Sequence, residues 1–150
     1  MAARRTCPGS RGSAWRHGWP APKLQAESAR IGALRDRLER GILERVSGTA
    51  LNGDPRARVP NTTNISFDGV EAESLLIALD LEGFAVSTGS ACSSGTLEPS
   101  HVLRAMGLSS HRTQNSIRFS LGAGNTETQV DALLERLPAV VGKLRTLVRR

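Results

Sequence analysis

The chain of 150 residues is 39% hydrophobic, which provides for one small globular core and leaves no room for a second of similar size. Two cysteines, Cys7 and Cys92, are too few for a disulfide framework, and no apolar run approaches the roughly 18 residues of a membrane span; a soluble, reducing compartment, the cytoplasm, is expected. The formal charge of +6 sits at one end: Arg4, Arg5, Arg11, Arg16 and Lys23 fall in the first 24 positions with no acid, leaving fifteen basic against fourteen acidic residues beyond.

Residues 1–24 are rich in Gly, Pro, Ser and Arg and follow neither helical nor strand periodicity, which predicts a disordered basic arm ahead of a folded domain over 25–150. The arm has no apolar stretch after its positive charge, so it does not read as a secretory signal. Trp15, His17 and Trp19 could stack on bases, but no RNA- or DNA-binding motif follows them, and nucleic acid is not an expected partner. Beyond the arm, Leu24, Ile31, Leu34, Leu38 and Ile42 recur at helical spacing, predicting a helix over about 26–46. Gly48, Asn52-Gly53 and Asp54-Pro55 then predict a loop. Asn64-Ile65-Ser66-Phe67 alternates as a strand with Ile65 and Phe67 on its apolar face.

Ala72, Leu75, Leu76 and Leu79 predict a second helix, ended by Gly83, and Phe84-Ala85-Val86 reads as a short apolar strand. The strand leads into Ser87-Thr88-Gly89-Ser90-Ala91-Cys92-Ser93-Ser94-Gly95, small residues with a glycine on either side of one thiol. Such a segment is sterically open, and a thiol on it could reach a substrate and then leave it. Glu98-Pro99-Ser100 predicts the start of another helix, with Val102, Leu103 and Met106 on its buried side and Gly107 as its stop. Ser116-Ile117-Arg118-Phe119-Ser120-Leu121 alternates strictly, which sends Arg118 to the polar face of a strand. Thr126-Glu127-Thr128-Gln129 fits a capping box. A long apolar stripe from Val130 to Val148 then predicts a final helix, kinked at Pro138. The order of elements is that of an α+β layer, a small sheet of about three strands with flanking helices.

Three stretches in fixed order, Ser87 to Cys92, Leu97-Glu98-Pro99-Ser100-His101-Val102-Leu103-Arg104-Ala105-Met106-Gly107, and Ser116-Ile117-Arg118-Phe119-Ser120-Leu121-Gly122, resemble the carboxy-terminal domain of cysteine desulfurases of the NifS/IscS type. These enzymes belong to the class V aminotransferase superfamily. The resemblance runs from about Glu27 to Arg145, includes Val59-Pro60-Asn61, and implies the small domain of a transferase that depends on pyridoxal 5′-phosphate. It further implies that Cys92 is the nucleophile that takes sulfur from L-cysteine as a persulfide, releasing L-alanine, with Gly89 and Gly95 as the hinges of its loop. Arg118 falls on the family's substrate-carboxylate arginine, a role suited to a planar guanidinium that can pair a carboxylate through two parallel hydrogen bonds. The implied partners are L-cysteine, an iron–sulfur scaffold or other sulfur acceptor, and a second copy of the full-length chain; Cys92 could also serve as a transient iron–sulfur ligand.

Without the resemblance these residues would read more plainly. A lone cysteine is ordinarily a small buried hydrophobe, and an arginine on a strand's polar face is ordinarily solvated. His101 reads as a surface or capping residue, and Cys7 with His17 supplies too few ligands for a resident metal. The family's cofactor lysine follows a Ser-x-His segment. The chain's two lysines, Lys23 and Lys143, have no such neighbours, and no cofactor-binding residue can be assigned. The expectation is therefore a portion of a cysteine desulfurase that does not turn over cysteine alone, the alternative being a non-catalytic module that accepts sulfur or docks on an iron–sulfur scaffold. A truncated or frameshifted product and a separately encoded small domain both fit; the abrupt composition change near residue 24 favours the first.

Overall fold

The computed structural model describes residues 21–89 and 100–148; Cys92, Gly95 and the arm over 1–20 lie outside the described residues. Helix α1 (Ala21–Arg45) begins about five residues before the predicted start. Pro22 is compatible with the earlier start, since it occupies the first helical turn, where a missing N–H forfeits no intrahelical bond. Leu24, at the head of the predicted stripe, is exposed, whereas Leu34, Leu38 and Ile42 are buried.

Strand β1 (Thr49–Leu51) was expected to be loop; three residues are too few to display an alternation. It pairs antiparallel with β2 (Thr62–Phe67), which pairs antiparallel with β3 (Ser116–Ser120), giving the order β1-β2-β3. The sheet thus has the expected three strands but not the expected three members. Phe84 to Val86 form no ladder: after α2 (Ala72–Leu81) the chain touches the sheet through one antiparallel bridge, Ser87 opposite Arg118. Phe84 and Val86 still pack against the core, which explains their apolar character.

Two short helices follow the thiol segment. α3 (His101–Ala105) starts later than predicted, after Ser100 as N-cap, and buries only Leu103; Val102 and Met106 are 54% and 48% exposed. α4 (Ser110–Gln114) carries no apolar stripe to predict it. Its first turn is capped by Ser109, whose hydroxyl accepts from the Arg112 N–H at 3.3 Å. The last helix, α5 (Glu127–Val148), opens on the expected capping box: the Thr126 hydroxyl accepts from the Gln129 N–H at 3.3 Å, and the Gln129 side-chain carbonyl accepts from the Thr126 N–H at 3.2 Å. It continues without interruption through Pro138.

The core lies on one side of the sheet. Ile65 and Phe67 of β2 and Ile117 and Phe119 of β3 are buried against α1, α2 and α5, with the two phenyl rings 6.5 Å apart and tilted. Gly41 lets α1 and α5 approach closely, since a Cβ there would lie 2.5 Å from a Leu134 methyl. Arg145 fastens α5 to the turns beneath it, donating to the carbonyls of Asp68 at 2.9 Å and Ser47 at 2.8 Å. No helix among the described residues is long and apolar enough to cross a membrane.

Candidate active site on the open face of the sheet

The opposite face carries polar side chains. Alternation along β2 and β3 places Asn64 and Arg118 there as direct cross-strand partners, so the two side chains leave the sheet side by side. They line a cavity of about 370 Å³, together with Asn52, Arg58, Gly89 and Ser100 among others. Val102 and Met106, the exposed apolar residues of α3, form part of its wall.

The two arginines of this cavity differ in their charge balance. Arg58 donates to both carboxylate oxygens of Glu39, and its guanidinium also lies 3.5 Å from Asp36. Burial raises the Glu39 carboxyl, but hydrogen bonds from Arg58 and Thr63 and the charges of Arg58 and Arg35 outweigh it and hold the group below its ordinary value. Arg58 is thus a neutralised structural cation. Arg118 forms no ion pair among the described residues; its guanidinium donates to the Ser87 hydroxyl at 3.2 Å and is otherwise exposed. Its positive charge remains available to an anion entering the cavity.

Ser87 joins this arginine to the start of the thiol segment. The backbones of Ser87 and Arg118 exchange N–H···O bonds of 3.1 and 2.6 Å, and the Ser87 hydroxyl accepts from the Gly89 N–H at 3.1 Å. Gly89 has φ +73°, a left-handed conformation that strains any residue with a Cβ. The departure of the segment from the sheet is therefore fixed beside Arg118 by four hydrogen bonds among the described residues and one glycine.

A polar network underlies the cavity. Asn52, buried at the end of β1, donates to the Asn64 side-chain oxygen at 2.7 Å and to the Ser116 hydroxyl at 2.9 Å. The Asn52 oxygen accepts from Arg112 Nε at 2.8 Å; a second Arg112 nitrogen donates to the Leu51 carbonyl at 2.8 Å, and Ser116 donates to the Arg112 carbonyl at 2.6 Å. A buried polar cluster is stable only when each member is paired, and α4 supplies the arginine that completes this one.

Of the residues singled out from sequence, the structure places Arg118 and Gly89 together at this cavity, whereas Cys92 and Gly95 lie outside the described residues. His101 is the exposed first residue of α3. Ser87, Asn52, Asn64 and Arg112 were missed. The strand alternation already placed Asn64 on the polar face, but its neighbours 12 and 54 positions away emerge only from the strand register and the short α4. Lys23 and Lys143 are exposed on α1 and α5, away from the cavity lining, so the residues present do not fit a pyridoxal phosphate anchored through a lysine of this cavity. No group of three or more metal-ligating side chains occurs among the described residues.

Comparison with known proteins follows the same lines. Residues 21–133 match the family model of class-V aminotransferases. The chain is 45% identical over 124 residues to a cysteine desulfurase of Gluconacetobacter diazotrophicus and 44% identical over 124 residues to cysteine desulfurase NifS of Azotobacter vinelandii; each match covers 83% of this chain and 31% of the relative. Among solved structures, a NifS-like protein superposes with a TM-score of 0.70 at 28% identity, covering 82% of this chain and 30% of the other. The NifS-like protein of Rickettsia africae superposes with a TM-score of 0.68 at 29% identity, covering 81% and 31%. The chain thus spans about three-tenths of the length of these relatives. Fold, motif order and sequence together make this chain a member of the class-V aminotransferase family, with its resemblance concentrated on cysteine desulfurases of the NifS type.

Proposed function

We propose that the chain is the carboxy-terminal portion of a cysteine desulfurase, in which Arg118 grips the carboxylate of L-cysteine and Cys92 receives its sulfur. The observation that carries this reading is the guanidinium of Arg118, which has no ion-pair partner among the described residues and donates to Ser87 where the segment bearing Cys92 leaves the sheet. A carboxylate held there would present the substrate's sulfur to a thiol arriving on a short tether with glycines at positions 89 and 95 as hinges. The Cys92 thiolate would form a bond to that sulfur, becoming a persulfide, as L-alanine is released; an iron–sulfur scaffold or other acceptor thiol would then take the sulfane sulfur.

Cleavage of the substrate's carbon–sulfur bond requires an electron sink, supplied in this family by pyridoxal 5′-phosphate, and no side chain at the cavity provides one. The 150-residue polypeptide alone should therefore release no alanine from L-cysteine, even with the free cofactor added. Supplied with L-cysteine and a cofactor-loaded desulfurase as sulfur source, it should gain about 32 Da on Cys92 and not on Cys7, read by peptide mass spectrometry. Equal labelling of both cysteines, or a Cys92→Ala chain that labels as well as the wild type, would count against the reading.

A further inference from the structure

The directions of the hydrogen bonds around Asn52 are set by one side chain that can only donate, that of Arg112. A guanidinium has no acceptor, so the Asn52 atom facing Arg112 Nε at 2.8 Å must be its oxygen. The Asn52 NH2 group must then face the other way, and both of its hydrogens are used, on Asn64 at 2.7 Å and on Ser116 at 2.9 Å. Ser116 can receive one because its own hydrogen goes to the Arg112 carbonyl at 2.6 Å. The Asn64 atom facing Asn52 is consequently an oxygen, which turns the Asn64 NH2 group away from the network. Among the described residues no acceptor takes that group, and Asn64 is only half-buried. Asn64 lines the cavity directly across the strand pair from Arg118.

We infer that Asn64 is a specificity-determining residue of this cavity, its amide NH2 donating to the same carboxylate that Arg118 grips, with Asn52 and Arg112 as the positioning residues that forbid its reversal. The inference rests on the reading of Arg118 given above. Two adjacent side chains that offer only donors favour a group that offers only acceptors, which a carboxylate does through both oxygens and a neutral amide does not. The network makes the selection inexpensive during binding, because a reversed Asn64 would set its NH2 against the NH2 of Asn52.

The test is a titration of the full chain with L-alanine, the carboxylate-bearing product, and with L-alaninamide, followed through the side-chain nitrogen resonances of Asn64 and Arg118. Alanine should shift the Asn64 NH2 and Arg118 Nε–H signals along one isotherm, and alaninamide should shift neither. Asn64→Asp, which replaces the donor with a like charge, should weaken alanine binding at least about tenfold, and Asn64→Leu should weaken it several-fold. Asn52→Ala should weaken it by a smaller factor while leaving the Arg118 shift in place. Movement of Arg118 alone, together with wild-type affinity in Asn64→Leu, would overturn the inference and leave the reading of Arg118 intact. Failure of alanine to move Arg118 would overturn that reading, and the inference with it. The wild-type Asn64 signal decides the matter even if a variant fails to fold.

Discussion

On one face of the sheet Ile65, Phe67, Ile117 and Phe119 are sealed beneath three helices; on the other, Asn64, Ser116 and Arg118 stand among hydroxyls, amides and a cavity of about 370 Å³. The same two strands supply both sets, one residue apart. Period-two alternation makes this possible, because a strand can give its odd-numbered positions, here 65, 67, 117 and 119, to the core and the even-numbered ones between them to chemistry without compromise. The first face gains free energy from area removed from water, which depends little on direction. The second depends on the direction of each hydrogen bond, and a single donor-only arginine on α4 orients it.

Substitutions should separate the two faces. Phe67→Ala empties the centre of the sealed face and should cost about 3–5 kcal/mol, read from urea unfolding, a large share of the stability of a domain of this size. Asn52→Ala strikes the open face, leaving Arg112, Ser116 and Asn64 each short of a partner, and should cost about 1–3 kcal/mol. Its mark is weaker carboxylate binding at a modest stability loss, the reverse of Phe67→Ala, in which the surviving folded fraction should bind normally.

Smaller effects come from charge. Glu39 has its carboxyl held below the ordinary value, so its contribution to stability is complete above about pH 4.3, the value of an unfolded glutamate, and is lost as pH falls through the lower folded value. The difference in melting temperature between the wild type and Glu39→Gln should therefore be widest near neutrality and should close in acid. The Arg37–Asp131 pair joins α1 to α5 at 2.8 Å but is exposed to solvent, and Arg37→Ala should leave the melting temperature at physiological salt nearly unchanged. A large loss there would mean that surface charge, and not the apolar seam around Gly41 and Leu134, joins these helices.

The sealed face was far more legible in the sequence than the open one. Leu34, Leu38 and Ile42 on α1, and Val130, Leu133, Leu134, Leu137 and Val141 on α5, repeat often enough for helical periodicity to stand out, and all are buried. β1 and α4 were not legible because three and five residues carry too little pattern. Phe84 to Val86 misled for a different reason: apolar character reports burial, and these residues pack on the core without pairing in the sheet. At the site, Arg118 was placed by alternation and by family resemblance independently. Asn64, Asn52 and Arg112 were not found, because their function lies in contacts between elements whose register no local pattern encodes.

In the proposed function, Arg118 directs a carboxylate-bearing molecule toward the thiol of Cys92. This role is tested most directly by the rates at which iodoacetate and its neutral counterpart iodoacetamide alkylate Cys92, in a chain where Cys7 is replaced by serine. The ratio of iodoacetate to iodoacetamide rates should stand well above that of free cysteine and fall toward the free value in Arg118→Ala. A ratio in the wild type no higher than that of free cysteine, or one unchanged by Arg118→Ala, would contradict it.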